Sequence, residues 1–206
     1  RSSPEEHLAH IKQTIDYALS RDFTVNLYLE DWSSGMRDSR DYLFTMMDEL
    51  VKLPIKRFLL PDTLGILNPL QCVEYMRQMV RRYPNSHFDF HAHNDYDLAV
   101  SNSLAAVLSG AKGLHVTVNG LGERCGNAPL ASVQVILKDM FEAKTNIKED
   151  RLNDISRLVE GYSGIAVAPN TPVVGDNVFT QVAGVHADGD NKDKLYCNEI
   201  GRASCR

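Results

Sequence analysis

The chain reads as an α/β protein built like half of a (β/α)8 barrel, with a small helical and irregular subdomain after it. Three observations predict this. Strand-like and helical stretches alternate every ~25–35 residues, the rhythm of consecutive βα units around a parallel sheet. Residue types that carry chemistry follow each strand: Glu30-Asp31, Asp62-Thr63, His91 to Asp95, and Asn119 to Asn127. A barrel gathers its site in this way, at the C-terminal ends of its strands. No GxGxxG run opens a helix after the first strand, so a dinucleotide-binding doubly wound sheet has little support.

The first helix starts at Ser3, with Pro4 in its first turn and Glu6 completing a capping box. Leu8, Ile11, Ile15, Ala18 and Leu19 recur along it at helical spacing. "FTVNLYLE", Phe23 to Glu30, is rich in β-branched and aromatic residues and predicts the first strand. A polar loop and a helix from about Asp38 to Val51 are expected next. "KRFLL", Lys56 to Leu60, is the second strand, closed by "PDTLG". Asn68-Pro69 caps a helix reaching roughly Arg82. "HFDFHAH" is the third strand and "DLAVSNSLAAVLSGA" the helix after it. "GLHVTVNG" is the fourth strand, followed by the glycine-rich "NGLGERCGN" and a helix from about Pro129 to Ala143. "KEDRLNDISRLVEGYSG" is one more amphipathic helix, and the Pro/Gly/Asn-punctuated sequence beyond it reads as an irregular extension. The expected division is a partial barrel over residues 1–145 and a linker subdomain over 146–198.

At 206 residues, 43% hydrophobic and 24% charged, the composition is that of an ordinary globular chain. A formal net charge of -5 with scattered Lys and Arg leaves no nucleic-acid footprint. No apolar run approaches the ~18–20 residues that span a bilayer, so neither nucleic acid nor membrane is an expected partner. Cys72, Cys125, Cys197 and Cys205 lie far apart without CxxC pairing, which fits a reducing, cytoplasmic setting. The first residue is not Met, and the true start is expected upstream. The last eight residues, "EIGRASCR" (199–206), match the translation of a common sequencing-adapter oligonucleotide. The natural chain is therefore expected to end near Asn198, the competing reading being a genuine disordered tail.

His91 and His93 stand two apart at a strand end, so both side chains point the same way, into the mouth of a barrel. Two imidazoles side by side can ligate a divalent metal such as Zn2+, Mn2+ or Mg2+. The alternative is a pair satisfied by backbone hydrogen bonds. Asn94-Asp95 favours the metal, being placed to orient the imidazoles. A two-histidine site needs a third ligand, normally a carboxylate. In "NGLGERCGN", Gly120 and Gly122 allow close backbone approach to a ligand, beside Glu123, Arg124 and Asn127. Glu30, Thr63 and His186 carry little signal alone, since strand-end acids, turn threonines and loop histidines are common on surfaces.

Taken together, "HAHNDYDLAVSNSLAAVLSGAKG", "NGLGERCGNAPL" and "GVHADGDNK" resemble the signatures of the α-isopropylmalate, citramalate and homocitrate synthase family. These are metal-dependent (β/α)8 enzymes related to hydroxymethylglutaryl-CoA lyase. The resemblance runs from about Pro4 to Asn198 and implies the C-terminal half of the barrel, with strand units of the fourth-to-seventh type. It implies a Claisen condensation in which the enolate of acetyl-CoA attacks a metal-chelated 2-oxo acid. Thioester hydrolysis then gives a 2-alkylmalate and CoA.

By that resemblance His91, His93 and Asn127 hold the metal. Glu30, Thr63, Gly120 and Gly122 line the substrate, and Glu123 and His186 are the acid–base pair. It also implies a homodimer in which the His186 segment crosses to the neighbouring site. The leading expectation is a 2-isopropylmalate synthase of leucine biosynthesis acting on 2-oxoisovalerate. Citramalate synthase, using pyruvate, is the runner-up. A lyase fits less well, because lyase relatives carry a "GGCP"-like loop and lack the "GVHxDG" extension. A non-catalytic half-barrel is the remaining alternative. The family's Arg-Asp of the first barrel strand, whose Asp is the third metal ligand, has no counterpart here, so the chain alone is expected to be inactive. Cys125 stands where relatives have a small residue and reads as a tolerated small side chain.

Overall fold

The computed structural model describes residues 3–178 and 180, in two compact units. The first unit runs to Val116 and takes in Gly122–Ala128; the second holds Thr117–Leu121 and the chain from Pro129 onward.

The first unit is built on four parallel strands, β1 (Val25–Tyr28), β2 (Ile55–Asp62), β3 (Phe88–Ala92) and β4 (Gly113–His115), in the order β1-β2-β3-β4. Sequential order without reversal is the progression of a barrel, whereas a doubly wound sheet reverses at a switch point. The expected partial barrel is what forms. Its helices are α1 (Pro4–Leu19), α2 (Trp32–Asp38), α3 (Arg40–Leu50), α4 (Pro69–Arg82) and α5 (Ala99–Leu108). Both expected helix starts are closed by reciprocal hydrogen bonds, Ser3 with Glu6 on α1 and Asn68 with Gln71 on α4.

Strand register decides what each face carries. Phe58, Leu60, Phe88, Phe90 and Ala92 point to the outer face and are buried with Trp32, Met36, Met47, Met76 and Met79. Each of the Phe, Leu and Met side chains among them contributes about 1.5–3 kcal/mol by leaving water. The opposite phase carries Tyr28, Leu59, Asp89 and Gly113 at one level, and Pro61, His91 and His115 at the next. Polar residues on this inner face mark it as the side where a barrel builds its site.

Several element bounds differ from the sequence reading. The polar loop expected after β1 is mostly helix α2, because Trp32, Ser33 and Met36 share one buried face. Ser39, with φ −146, separates α2 from α3 where one helix was expected. The first strand is shorter than Phe23–Glu30, and Phe23 is exposed. The fourth strand stops at His115. Asn119, with φ 57, turns the chain into a short 3-10 segment at Val118–Gly120 instead of continuing it.

In the second unit α6 (Leu130–Phe141) packs with α7 (Leu152–Ser163) through Ala131, Val135, Leu152, Val173 and Val174. Glu149, buried between them in sequence, is paired with Lys138 and accepts a 3.0 Å bond from Gln134 Nε2. Asn119 and Ser156 are joined by two hydrogen bonds. No helix among the described residues is long and apolar enough to cross a membrane.

Candidate functional site

His91 is the penultimate residue of β3 and His93 follows the strand directly, so the pleat places both on the inner face. Their ring centroids are 4.9 Å apart with planes at 86°. The Nδ1 atom of each is buried without a hydrogen-bond partner. Neither Nδ1 is satisfied by the backbone. Burial, reinforced by the neighbouring His93 and His115, pushes the His91 pKa down to about 4. Neutral imidazole is the form that ligates a cation.

Asn127 is brought to His93 by an antiparallel backbone bridge, flanked by Ala128 N–H donating to the Ala92 carbonyl at 3.2 Å and Asn94 N–H donating to the Gly126 carbonyl at 2.9 Å. Gly122 makes room for the Asn127 carboxamide. A Cβ at Gly122 would lie 2.9 Å from Asn127 Cγ and nearer still to Nδ2. Two half-buried imidazoles, each with a buried Nδ1, and Asn127 bridged to one of them fit part of a divalent-cation shell. Among the described residues no group of three or more His, Cys, Asp or Glu side chains is placed to complete it.

A second group forms at the ends of β1 and β2. The Thr63 hydroxyl donates to Glu30 Oε1 at 2.9 Å and accepts from the Asp31 N–H at 3.1 Å. Asp31 holds this place with φ 54, a left-handed backbone uncommon outside glycine. Arg124 ties the group to the end of β3. Its guanidinium donates to both Asp95 oxygens, at 2.7 and 2.9 Å, and to the Thr63 carbonyl at 2.7 Å. The Arg124 guanidinium holds the Asp95 carboxyl below the usual range. Gly65 lies so close to Asp95 that a Cβ there would meet Asp95 Oδ2 at 2.8 Å.

The sequence-expected residues thus divide. His91, His93 and Asn127 come together, with Gly122 packed on Asn127; Glu30 and Thr63 come together beside them on the strand ends. Glu123 stands in solvent, its side chain 83% exposed and 3.7 Å from Arg124 Nη1. Gly120 belongs to the second unit, with φ 68. His186 lies outside the described residues.

Two inner-face residues, Tyr28 and His115, had no role in the sequence reading. Tyr28 Oη lies 3.2 Å from His115 Nδ1, and His115 Nε2 lies 3.5 Å from Asp89 Oδ2. The buried Asp89 is also met by His87 at 2.8 Å and Arg57 at 3.3 Å. Burial raises the Tyr28 pKa, with Glu30 and Asp89 adding to it. The signal for Tyr28 was its position two residues before Glu30, and for His115 its position two after Gly113. Neither spacing announces a partner on another strand. A cleft of about 540 Å3 runs along β1 past Tyr28, Glu30 and Asp31. The hollow of about 590 Å3 in the second unit, lined by Gln134, Lys138 and Glu149, holds none of the site residues.

Comparison with known proteins adds a family, three relatives and a likeness of fold. Residues 1–159 match the family model described as HMGL-like. A chain named as (R)-citramalate synthase from Methanopyrus kandleri is 38% identical over 197 residues, covering 94% of this chain and 38% of the relative. A chain named as 2-isopropylmalate synthase from the same organism is 38% identical over 187 residues, covering 91% and 37%. The homocitrate synthase of Saccharolobus islandicus is 42% identical over 189 residues, covering 92% and 40%. The chain spans about two fifths of the length of the curated relatives it matches. Among solved structures, the HMG-CoA lyase of Bacillus subtilis superposes with a TM-score of 0.69 at 23% identity, over 79% of this chain and 57% of that one, a likeness of fold.

Proposed function

The chain belongs to the HMGL-like family, and from that premise we propose that it carries the larger part of the active site of an acyltransferase. The reaction is condensation of acetyl-CoA with a 2-oxo acid, 2-oxoisovalerate first, to give 2-isopropylmalate and free CoA. The observation that carries the reading is the pair His91 and His93, with buried Nδ1 atoms lacking partners, beside the Glu30–Thr63 pair.

A divalent metal held by His91, His93 and Asn127 would polarise the keto oxygen of the acceptor as a Lewis acid. In this reading the third protein ligand is the carboxylate of a barrel strand that has no counterpart in this chain, and the 206-residue chain alone is inactive. Thr63 turns its hydroxyl from Glu30 to the acceptor carboxylate. Arg124, gripping Asp95 and the Thr63 carbonyl, holds the Thr63 backbone from which that hydroxyl turns. Glu123 and His186 form the acid–base pair that takes a methyl proton from acetyl-CoA, an imidazole oriented by a carboxylate being suited to this. Water then cleaves the thioester and releases CoA. The working protein is a cytoplasmic homodimer in this reading.

Citramalate synthase, with pyruvate as acceptor, is the second reading, favoured by equal identity to the relative of that name. The test is metal-dependent release of CoA thiol by the full-length protein carrying this chain, assayed with 2-oxoisovalerate, pyruvate and 2-oxoglutarate. Release fastest with 2-oxoisovalerate and abolished by a chelator is expected. Faster release with pyruvate selects the second reading. Cleavage of hydroxymethylglutaryl-CoA without condensation of any 2-oxo acid would refute both.

A further inference from the structure

Asp62 ends β2 beside Thr63 and takes no part in the proposed chemistry. Its phase is that of Phe58 and Leu60, so its side chain points to the outer face, where Phe58, Leu60, Phe90 and Ala92 are buried apolar neighbours. It is 0% exposed. A carboxyl in such a place costs stability unless its oxygens are met by donors. Both are met: Oδ1 accepts from the Ile66 N–H at 3.0 Å and Oδ2 from the Leu67 N–H at 3.1 Å. The Asp62 carbonyl takes the Gly65 N–H at 3.1 Å and, from the end of β3, the His93 N–H at 3.3 Å.

These bonds close a ring. Thr63, Leu64 and Gly65 leave β2, the chain turns at Gly65 with φ 60, and Ile66 and Leu67 come back onto the residue the turn left from. Asn102 of α5, itself buried, latches the far end by donating to the Leu67 carbonyl at 2.8 Å. The start of α4 does not need the Asp62 carboxyl, because Asn68 and Gln71 cap that helix reciprocally. What the ring holds is the backbone of Thr63, whose hydroxyl lies 2.9 Å from Glu30 Oε1. Arg124 grips the Thr63 carbonyl from the solvent side. Asp62 holds the same turn from the core.

We propose that Asp62 is a positioning residue: with Asn102 it fixes the Thr63 turn from the core, so that the Thr63 hydroxyl meets the carboxylate of the acceptor. The inference rests on the condensation reading, in which Thr63 binds that carboxylate. It deepens the reading by assigning the precision of that contact to a side chain that never touches substrate.

The experiment compares the full-length protein with Asp62→Asn, Thr63→Val, the two combined, and Asn102→Ala. Asparagine keeps the shape of Asp62, but one of its terminal atoms is a donor, so one of the two amides loses its acceptor. Steady-state kinetics gives kcat and KM for each substrate, calorimetry gives binding of the 2-oxo acid without acetyl-CoA, and thermal unfolding gives stability. Asp62→Asn is expected to raise KM and the dissociation constant for the 2-oxo acid on the order of tenfold, a misplacement of about 1 Å being able to cost up to about a hundredfold. KM for acetyl-CoA is expected to stay unchanged. In the Thr63→Val background the same change adds little to KM, because the hydroxyl it serves is gone, while its effect on the melting temperature persists. Asn102→Ala shifts KM for the 2-oxo acid in the same direction by a smaller factor, and it decides the matter where Asp62→Asn does not fold. A lowered melting temperature with both KM values unchanged, an equal rise in KM for both substrates, or the same rise with and without the Thr63 hydroxyl overturns the role of Asp62. Thr63→Val without effect on binding or KM of the 2-oxo acid, or an unaltered protein that neither binds nor turns over any 2-oxo acid, overturns the condensation reading itself, and this inference with it.

Discussion

Gly113 opens β4 opposite Asp89, and replacing it by alanine places one methyl group against a buried carboxylate. The added Cβ would stand 2.8 Å from Asp89 Cγ and 3.3 Å from Oδ2, and closer still to Oδ1. Restoring an ordinary contact of ~3.5–4.0 Å requires a shift of about 1 Å. The carboxylate has little freedom to give way: it is 2% exposed and fixed by His87 at 2.8 Å and Arg57 at 3.3 Å. Overpacking of this kind costs about 1–3 kcal/mol, and weakening the bonds to a buried charged group adds roughly 1–3 kcal/mol. A loss near ~3 kcal/mol corresponds to a melting temperature lower by about 6–12 °C for a chain of this size. Gly161 is the internal control. It lies within α7 with nothing within 4 Å of a built Cβ, so Gly161→Ala stabilises by about 0.5–1 kcal/mol. Urea or thermal unfolding followed by circular dichroism reads both. Adding Asp89→Ser to Gly113→Ala relieves the crowding, giving a coupling of about 1–2 kcal/mol between the two changes. Gly113→Ala within about 0.5 kcal/mol of the parent would refute the account of this close approach.

Other expectations follow from the site and its surroundings. In the proposed reading His91→Ala or His93→Ala lowers affinity for Zn2+ or Mn2+ by at least tenfold in calorimetric titration, since each change would remove a ligand; unchanged affinity in both variants rules the pair out as ligands. Arg124→Lys keeps the charge but not the fork that grips Asp95 and the Thr63 carbonyl. In the condensation reading it should lower kcat/KM for the 2-oxo acid by about tenfold with little change in stability, the pair being partly exposed. Alkylation resolved by peptide mass spectrometry should modify the exposed Cys125 and spare Cys72, whose thiol is buried and pushed up to about 12; modification of both at equal rates in the folded protein contradicts the packing of α4. Asp48 has a lowered pKa because Arg82 and then Tyr83 bond its carboxylate. Its folded value is below its unfolded one, so its contribution is present above the unfolded pKa near ~3.9 and is lost as pH falls through the folded value. Asp48→Asn should flatten stability against pH in that acidic window, by no more than about 1 kcal/mol since the pair is half exposed; an unchanged profile removes the ion pair from the account.

Local signals carried far in this chain. Ser3 with Glu6 and Asn68 with Gln71 start α1 and α4, because a capping box is complete within four residues. The alternation of strand and helix was enough for the parallel partial barrel, and the pleat was enough to put His91 and His93 on one side. Bounds failed where tertiary packing competed with local character. Trp32 and Met36 read as part of a polar loop until the outer face of the sheet gave them a place to be buried, and α2 formed around them.

The sequence by itself determined the fold class, the helix starts and the chemistry-bearing types at the strand ends, since these depend on periods of 2 and 3.6 residues and on contacts within one turn. Only the tertiary structure decided which of those residues meet. Arg124 closes on Asp95 and Thr63 across gaps of 29 and 61 residues, and Tyr28 reaches His115 across 87. Such pairings arise from the register of parallel strands joined by long crossovers, and no local spacing encodes that register. Gly113 and Gly122 show the same division. In sequence Gly113 opens a strand and Gly122 leaves room for a ligand, and in the fold each is small enough to let a side chain from elsewhere, Asp89 or Asn127, lie against the backbone.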